Sequence, residues 1–168
     1  MPAYRPLLLT GGPAVGKTVT GRGLAQSTER CAYIDVDDVR QLVKSGGAAP
    51  WEGEEGRAQH VLGVRNAAAL AANFSADGFN VTMSDVIDAE LLRLYRELVP
   101  DIMVIRLSIS HAMARARAQT RRVYLTDQEF ETLHRQQLPP LETDVDIEVS
   151  ALALDAQIDA VRAAWLRV

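Results

Sequence analysis

The sequence predicts an α/β fold in which a parallel β-sheet is covered by helices on both faces. Five apolar segments are predicted strands, at residues 7–10, 32–36, 80–84, 102–109 and 145–149. Segments with helical character separate or follow them, at residues 18–27, 38–44, 56–77, 89–98, 110–119, 127–137 and 155–166. Alternation of strands and helices favours a parallel sheet with right-handed crossovers, and ligands bind such sheets at the carboxyl ends of the strands.

The first strand leads directly into a phosphate-binding signature, G-x-x-x-x-G-K-[ST], which spans Gly11 to Thr18. Its glycines permit backbone conformations that bring main-chain N–H groups close to a phosphate, and the following helix points its positive dipole end at the same anion. In this signature Lys17 reaches the β- and γ-phosphates, and the Thr18 hydroxyl ligates Mg²⁺. The predicted nucleotide-binding residues run without a gap along the chain: Gly11, Gly12, Pro13, Ala14, Val15, Gly16, Lys17, Thr18 and Val19.

Length and composition are those of an ordinary globular protein. The 168 residues suit one domain, 48% of them are hydrophobic and 24% are charged. The formal net charge of −4 argues against broad attraction to nucleic acid. Cys31 is the only cysteine, which excludes an internal disulfide and fits a reducing cytoplasm. We expect no membrane span and no export signal, and the chain is expected to act as a monomer or homodimer.

Acidic residues follow the second predicted strand. Strand alternation predicts that Asp35 and Asp37 share one side, where two carboxylates beside a phosphate loop suggest metal binding, general-base work or both. Asp38 is a candidate cap of the next helix, and all three residues are alternatively ordinary capping and solvated groups. Arg40 is expected in the first turn of that helix, where the dipole does not stabilise a cation. It is therefore expected to serve an anionic partner or to form a surface salt bridge.

Two further groups of candidates follow later strands. Asp85 stands after the third strand, where a second acidic group commonly holds Mg²⁺ in nucleotide sites. Four arginines follow the fourth strand, namely Arg115, Arg117, Arg121 and Arg122. The i, i+4 spacing of Arg117 and Arg121 places both on one helical face, so these two are favoured as functional, and the others are as well explained by a solvated face.

These motifs together resemble the small P-loop kinases of the nucleoside-monophosphate-kinase type, which include shikimate kinase, gluconate kinase, chloramphenicol phosphotransferase and polynucleotide 5′-kinase. The likeness rests on the loop Gly11–Thr18, on the run from Asp37 to Arg40, on Ser84-Asp85 and on the arginines after the fourth strand. It implies a three-layer fold with a five-stranded parallel sheet of order 2-3-1-4-5 and a small helical lid near residues 115–126. It also implies ATP and Mg²⁺ as cofactors.

The resemblance assigns roles to individual residues. It implies that Asp37 is the general base, that Arg40 contacts an anionic group of the substrate, and that Asp35 lies near Mg²⁺. Arg117 matches an arginine that packs on adenine, and Arg121 matches a lid arginine near the γ-phosphate. The implied catalytic residues are therefore Lys17, Asp37 and Arg121, and the metal candidates are Thr18, Asp35 and Asp85.

The acceptor is expected to be a small hydroxylated molecule. The region between the second strand and the long helix closes over the acceptor in the kinase fold, so Trp51 and Arg65 are candidate substrate contacts, or else a loop anchor and a surface ion pair. The asparagine typical of polynucleotide kinases is absent, because Val86 is followed by Ile87. We expect an ATP- and Mg²⁺-dependent phosphotransferase. The alternatives are a nucleotide-dependent binding, resistance or regulatory protein and a polynucleotide 5′-hydroxyl kinase.

Overall fold

The computed structural model of the chain describes residues 4–120, 126–136 and 139–167. Within these ranges the strands are β1 (Leu7–Thr10), β2 (Cys31–Asp35), β3 (Asn80–Ser84), β4 (Met103–Ser108) and β5 (Val145–Glu148). The helices are α1 (Lys17–Gln26), α2 (Val36–Arg40), α3 (Gly53–Ala76), α4 (Ala89–Leu98), α5 (His111–Gln119), α6 (Asp127–Gln136) and α7 (Leu154–Trp165). None of these helices combines the length and apolar character needed to cross a bilayer.

The five strands form one parallel sheet in the order β2-β3-β1-β4-β5, which confirms the predicted fold class and strand order. In the register of the central strand, Leu8 lies opposite Met83 on one side and Val104 on the other. Because β1 and β3 are neighbours, the phosphate-binding loop after β1 and the segment after β3 leave the sheet side by side.

The three leucines of β1 face two separate cores. Leu8 packs in the cluster under α3 and α4, whereas Leu7 and Leu9 pack in the cluster under α1 and α7. All three have no exposed surface. This division follows from strand geometry, in which successive side chains point to opposite faces of the sheet. The continuous apolar run therefore marks a strand that is buried on both faces.

The second helix differs from its prediction over residues 38–44. It begins at Val36 and ends at Arg40, because the Asp35 side chain accepts a hydrogen bond from the Asp37 N–H at 3.1 Å and caps the helix. The predicted strand alternation of Asp35 and Asp37 is therefore wrong, since β2 ends at Asp35. Arg40 lies in the last turn of α2, not the first. Asp38 is exposed, and Asp35 takes the capping position.

Replacing Leu8 by alanine should lower the free energy of unfolding by about 2–5 kcal/mol, because the side chain is fully enclosed and leaves a cavity. Leu42→Ala is the matched control: its leucine is 70% exposed, so its effect should stay within about 0.5 kcal/mol. Urea unfolding followed by circular dichroism measures both. Equal losses in the two variants would contradict the assignment of β1 to the centre of the sheet.

Candidate active site

The loop between β1 and α1 has the backbone shape of an anion cradle. Gly11, Ala14 and Gly16 have positive φ angles of 139°, 61° and 95°. A side chain at Gly11 could not be accommodated, because its Cβ would lie 2.2 Å from the carbonyl oxygen of Leu107. Gly16 is the N-cap of α1, so the N–H groups at the start of that helix border the loop.

Lys17, the first residue of α1, lies over this loop. Its Nζ donates hydrogen bonds to the carbonyl oxygens of Gly11 and Gly12, at 2.8 and 2.9 Å. Burial lowers the pKa of Lys17 below its ordinary value, although the charges of Asp37, Asp85 and Asp35 oppose that shift. The ammonium group is thus surrounded by acceptors that a phosphate could replace.

Two side chains from distant parts of the chain hold the loop in place. Gln157 of α7 is buried, and its Nε2 donates to the Val15 carbonyl oxygen at 3.0 Å and to Thr20 Oγ1 at 2.9 Å. Arg117 of α5 donates to the carbonyl oxygens of Val149 and Leu152, at 3.0 and 3.1 Å. Its other terminal nitrogen lies 3.5 Å from the Val15 carbonyl oxygen. Gln157 was not predicted, since nothing near it in sequence indicates this contact.

Thr18 and Asp35 form a pair of oxygen donors beside the loop. The Thr18 hydroxyl donates to Asp35 Oδ2 at 3.1 Å, and the Tyr33 hydroxyl donates to the same atom at 3.1 Å. Burial raises the pKa of Asp35, and the negative charge of Asp37 raises it further. A nearby cation would offset both effects. Hydroxyl and carboxylate oxygens are ligands suited to Mg²⁺, so these residues fit a magnesium ion.

Asp85, the other metal candidate, is the centre of a buried network. Arg40 donates to its Oδ1 at 2.9 Å, and the Tyr95 hydroxyl donates to its Oδ2 at 2.8 Å. The Val86 N–H donates to Oδ1 at 2.8 Å, and His60 Nε2 lies 3.5 Å from that atom. Burial alone would raise the pKa of Asp85. The neighbouring His60 and Arg40 outweigh burial and hold the pKa below its ordinary value.

Arg40 connects this network to Asp37. One terminal nitrogen of its guanidinium binds Asp85, and the other forms an ion pair with Asp37 Oδ1. The Arg40 stem crosses α3 at Gly63, where an added Cβ would lie 2.7 Å from Arg40 Cγ. The Asp85 side chain is fully buried, whereas that of Asp37 is 60% exposed. Arg40 therefore joins a carboxylate inside the protein to one that faces the solvent.

The loop and this network border one cleft with a volume of about 1010 Å³. Most of the predicted site residues line it: Pro13, Ala14, Gly16, Lys17, Thr18, Asp37, Arg40, Trp51 and Asp85. Arg65 is exposed on α3 and does not line the cleft. Arg117 does not line the cleft either and instead contacts the loop at the Val15 carbonyl oxygen. Arg121 and Arg122 lie outside the described residues, and Arg115 pairs with Glu131 at 2.5 Å.

The lining residues of α3, which include Arg57 and His60, were not predicted. A signal for His60 was present in the sequence. The buried positions of α3 recur every three or four residues, at Gly56, His60, Gly63, Val64, Ala67, Ala68 and Ala71. His60 belongs to this inward face and Arg65 does not. Among the described residues, no group of three or more His, Cys, Asp or Glu side chains has the arrangement of a protein-only metal site.

Solved structures with the same fold include a sugar kinase, a gluconokinase and shikimate kinases. An unliganded sugar kinase from Janibacter sp. HTCC2649 is 14% identical, with a TM-score of 0.74 over 97% of this chain and 94% of that one. A gluconokinase from Sinorhizobium meliloti 1021 is 16% identical, with a TM-score of 0.73 over 99% and 94%. Shikimate kinase from Acinetobacter baumannii, in complex with shikimate, is 20% identical, with a TM-score of 0.57 over 95% and 92%.

The chain has the fold of the small P-loop kinases. Each of these likenesses extends over almost the whole of both chains. No family model and no curated protein matches the sequence. At these low sequence identities the likeness shows the fold, and any function has to be argued from the residues of the cleft.

The buried ion pair should make stability depend on pH. Asp85→Asn should lower the free energy of unfolding at pH 7 by about 3 kcal/mol, because Arg40 loses one of its two carboxylate partners. The pKa of Asp85 is depressed in the folded state, so its contribution is present above the ordinary aspartate pKa of about 3.9 and is lost as the pH falls. Urea unfolding measures the free energy of unfolding of both proteins. The difference between the wild type and the variant should be smaller near pH 3.5 than at pH 7.

Asp38→Asn is the matched control, since Asp38 is exposed on the same helix as Arg40. Its effect should stay within about 0.5 kcal/mol at both pH values. A loss for Asp85→Asn that stays constant or grows as the pH falls would contradict the ion-pair assignment.

Proposed function

We propose that the protein is an ATP- and Mg²⁺-dependent phosphotransferase that moves the γ-phosphoryl group to a hydroxyl of a small molecule. One observation carries the proposal. The cleft that contains Lys17 and the anion cradle also contains the exposed carboxylate of Asp37, held by Arg40. A phosphoryl donor and a hydroxyl acceptor could thus be bound on opposite sides of the same space. The cytoplasm, where ATP is abundant, is the proposed location.

The nucleotide would bind at the loop end of the cleft. The N–H groups around Gly16 and the positive end of α1 would face the β- and γ-phosphates. Lys17 Nζ would exchange its two carbonyl partners for phosphate oxygens, a stronger interaction because both groups are charged. Arg117 joins the loop to the segment after β5, which supports it as a residue on the adenine side.

Thr18 and Asp35 are the residues that would hold Mg²⁺, given their 3.1 Å contact beside the loop. A bound magnesium ion neutralises phosphate charge as the γ-phosphoryl group is transferred. Asp85 is less suited to this role, because both of its carboxylate oxygens already accept hydrogen bonds from Arg40, Tyr95 and Val86. We therefore assign Asp35 to the metal and Asp85 to the support of Arg40.

In the proposed reaction the acceptor hydroxyl oxygen attacks the γ-phosphorus. A bond forms between that oxygen and phosphorus, the bond to the β–γ bridging oxygen breaks, and ADP leaves with its electron pair. Asp37 takes the hydroxyl proton, and Arg40 fixes the position of the Asp37 carboxylate. Because the transition state is loose, positioning and charge neutralisation contribute more than the base. Arg121 stays a proposed contact to the transferring group.

Lys17→Ala should nearly abolish turnover, whereas Asp37→Asn should lower kcat by about 100-fold with little change in ATP affinity. The reason is that in the proposed complex Lys17 would bind the phosphates, whereas Asp37 would contact the acceptor. The acceptor is found by incubating the protein with labelled ATP and panels of sugars, nucleosides, antibiotics and 5′-hydroxyl oligonucleotides. Steady-state kinetics with that acceptor then measure both variants.

Asp38→Asn is the control for Asp37→Asn, because Asp38 is the next residue, is exposed and does not line the cleft. It should retain wild-type kcat. Normal turnover in Asp37→Asn would contradict the role of Asp37 as general base. Stoichiometric ligand binding with no label transfer in any panel would contradict the phosphotransferase proposal and favour a binding protein.

The metal assignment has a separate test. Asp35→Asn should weaken binding of ATP about tenfold in the presence of Mg²⁺ and leave binding in EDTA unchanged. Asparagine still caps α2, so the helix is kept. Titration calorimetry with and without Mg²⁺ measures both constants. An unchanged magnesium dependence in Asp35→Asn would contradict the assignment of Asp35.

A further inference from the structure

At the proposed acceptor end of the cleft, both arginines already have carboxylate partners. Lys17, Arg40 and Arg57 are the lysine and arginine side chains among the described residues that line the cleft, and Lys17 belongs to the phosphate-binding loop. Arg40 is shared between Asp37 and Asp85. Arg57 is shared between Asp88, at 2.7 Å, and Glu90, at 2.5 Å. Each guanidinium therefore already has two carboxylate partners, of which Glu90 lies outside the lining of the cleft.

An acidic substrate would meet this end of the cleft at a disadvantage. A carboxylate or phosphate on the acceptor would have to displace a protein carboxylate from Arg40 or Arg57. In the case of Arg40, displacement would break contacts of a buried pair, since only 14% of its side chain is exposed. Like charges left facing each other across an interface weaken binding strongly. The charge pattern thus selects against an acid.

Apolar side chains are exposed at the same place. Val43, Trp51 and Leu62 are 40%, 41% and 47% exposed, and all three line the cleft. They come from the segment after α2, the segment before α3, and α3 itself, so the sequence brings them together only through the fold. Exposed large hydrophobic residues gathered in one concave site are typical of a ligand-binding surface.

We propose that the acceptor is an amphipathic alcohol that has an apolar portion and neither a carboxylate nor a phosphate group. This inference rests on the proposed function and names its substrate class. The apolar portion would pack against Trp51 and Leu62, and the hydroxyl would reach Asp37. The volume of about 1010 Å³ accommodates a molecule of drug size beside the phosphates of the nucleotide. Gluconate and shikimate, by contrast, are carboxylates.

Equilibrium binding of matched probes tests this class. The full chain is loaded with Mg²⁺ and a non-hydrolysable ATP analogue, and ligand-observed NMR measures two pairs of compounds. The first pair is 4-(hydroxymethyl)benzamide and 4-(hydroxymethyl)benzoate, and the second is methyl shikimate and shikimate. In both pairs the uncharged member should bind at least about tenfold more tightly. A smaller ratio in either pair, tighter binding of an acid, or no detectable binding of the benzamide would overturn the proposal.

Variants locate the cause of the preference. The double variant Asp88→Asn with Glu90→Gln removes both carboxylate partners of Arg57. It should raise the affinity for 4-(hydroxymethyl)benzoate about tenfold and change the affinity for the benzamide by less than about twofold. Asparagine at position 88 keeps the cap of α4. Glu97→Gln removes an exposed charge farther along the same helix and should change neither affinity. Equal effects of the double variant and Glu97→Gln would contradict the role of Arg57.

Trp51→Ala tests the apolar contact and should weaken benzamide binding at least about fivefold. Unchanged affinity would overturn the packing part of the proposal. The binding results stand apart from the proposed reaction, because the analogue cannot transfer its phosphoryl group. Label transfer from ATP to gluconate or shikimate would instead support phosphotransfer and overturn the acceptor class.

Discussion

The side chain of Asp85 is cut off from solvent, and a carboxylate in that position costs several kcal/mol unless donors surround it. Arg40, Tyr95 and the Val86 N–H supply those donors. The arrangement of the acceptor side depends on this requirement. Arg40 is drawn inward by Asp85, and its outer nitrogen then holds Asp37 at the mouth of the cleft. Tyr95 ties the same carboxylate to the core under α4, so the position of the proposed base is set by packing well below it.

The phosphate side is held independently, from the other face of the sheet. Gln157 of α7 donates hydrogen bonds to the Val15 carbonyl oxygen and to Thr20, and Lys17 Nζ donates to the Gly11 carbonyl oxygen within the loop. Leu7 and Leu9 belong to the core on this face, whereas Leu8 belongs to the core that contains Tyr95. The strand β1 therefore separates two packed layers that each position half of the cleft. The halves meet where β1 and β3 end, which is where ligands bind in parallel sheets.

Local patterns predicted the parts of the site that depend on neighbouring residues. The strands and the phosphate-binding loop followed from apolar runs, alternation with helices and one motif, whereas the strand order was implied by the resemblance to small P-loop kinases. The fold confirms the strands and their order. The predicted start of α2 was wrong because the apolar pattern of β2 continues to Val36, whereas the side chain of Asp35 caps α2 and ends the strand one residue earlier. Tyr95 and Gln157 were missed for another reason. Each meets its partner through tertiary packing, as in the contact of Gln157 with Val15 across 142 positions of sequence.

The two ends of the cleft differ in how their charged side chains are paired. At the loop, the cradle, Lys17 and the end of α1 favour a polyanion, and the raised pKa of Asp35 reflects a carboxylate whose burial and neighbour Asp37 disfavour its charge until a cation approaches. At the other end, each of the two arginines is already paired with two carboxylates. Under the proposed function, a triphosphate bound in the reverse orientation would have to displace those carboxylates. The ion pairs that would disfavour an acidic acceptor would therefore also favour one orientation of the nucleotide.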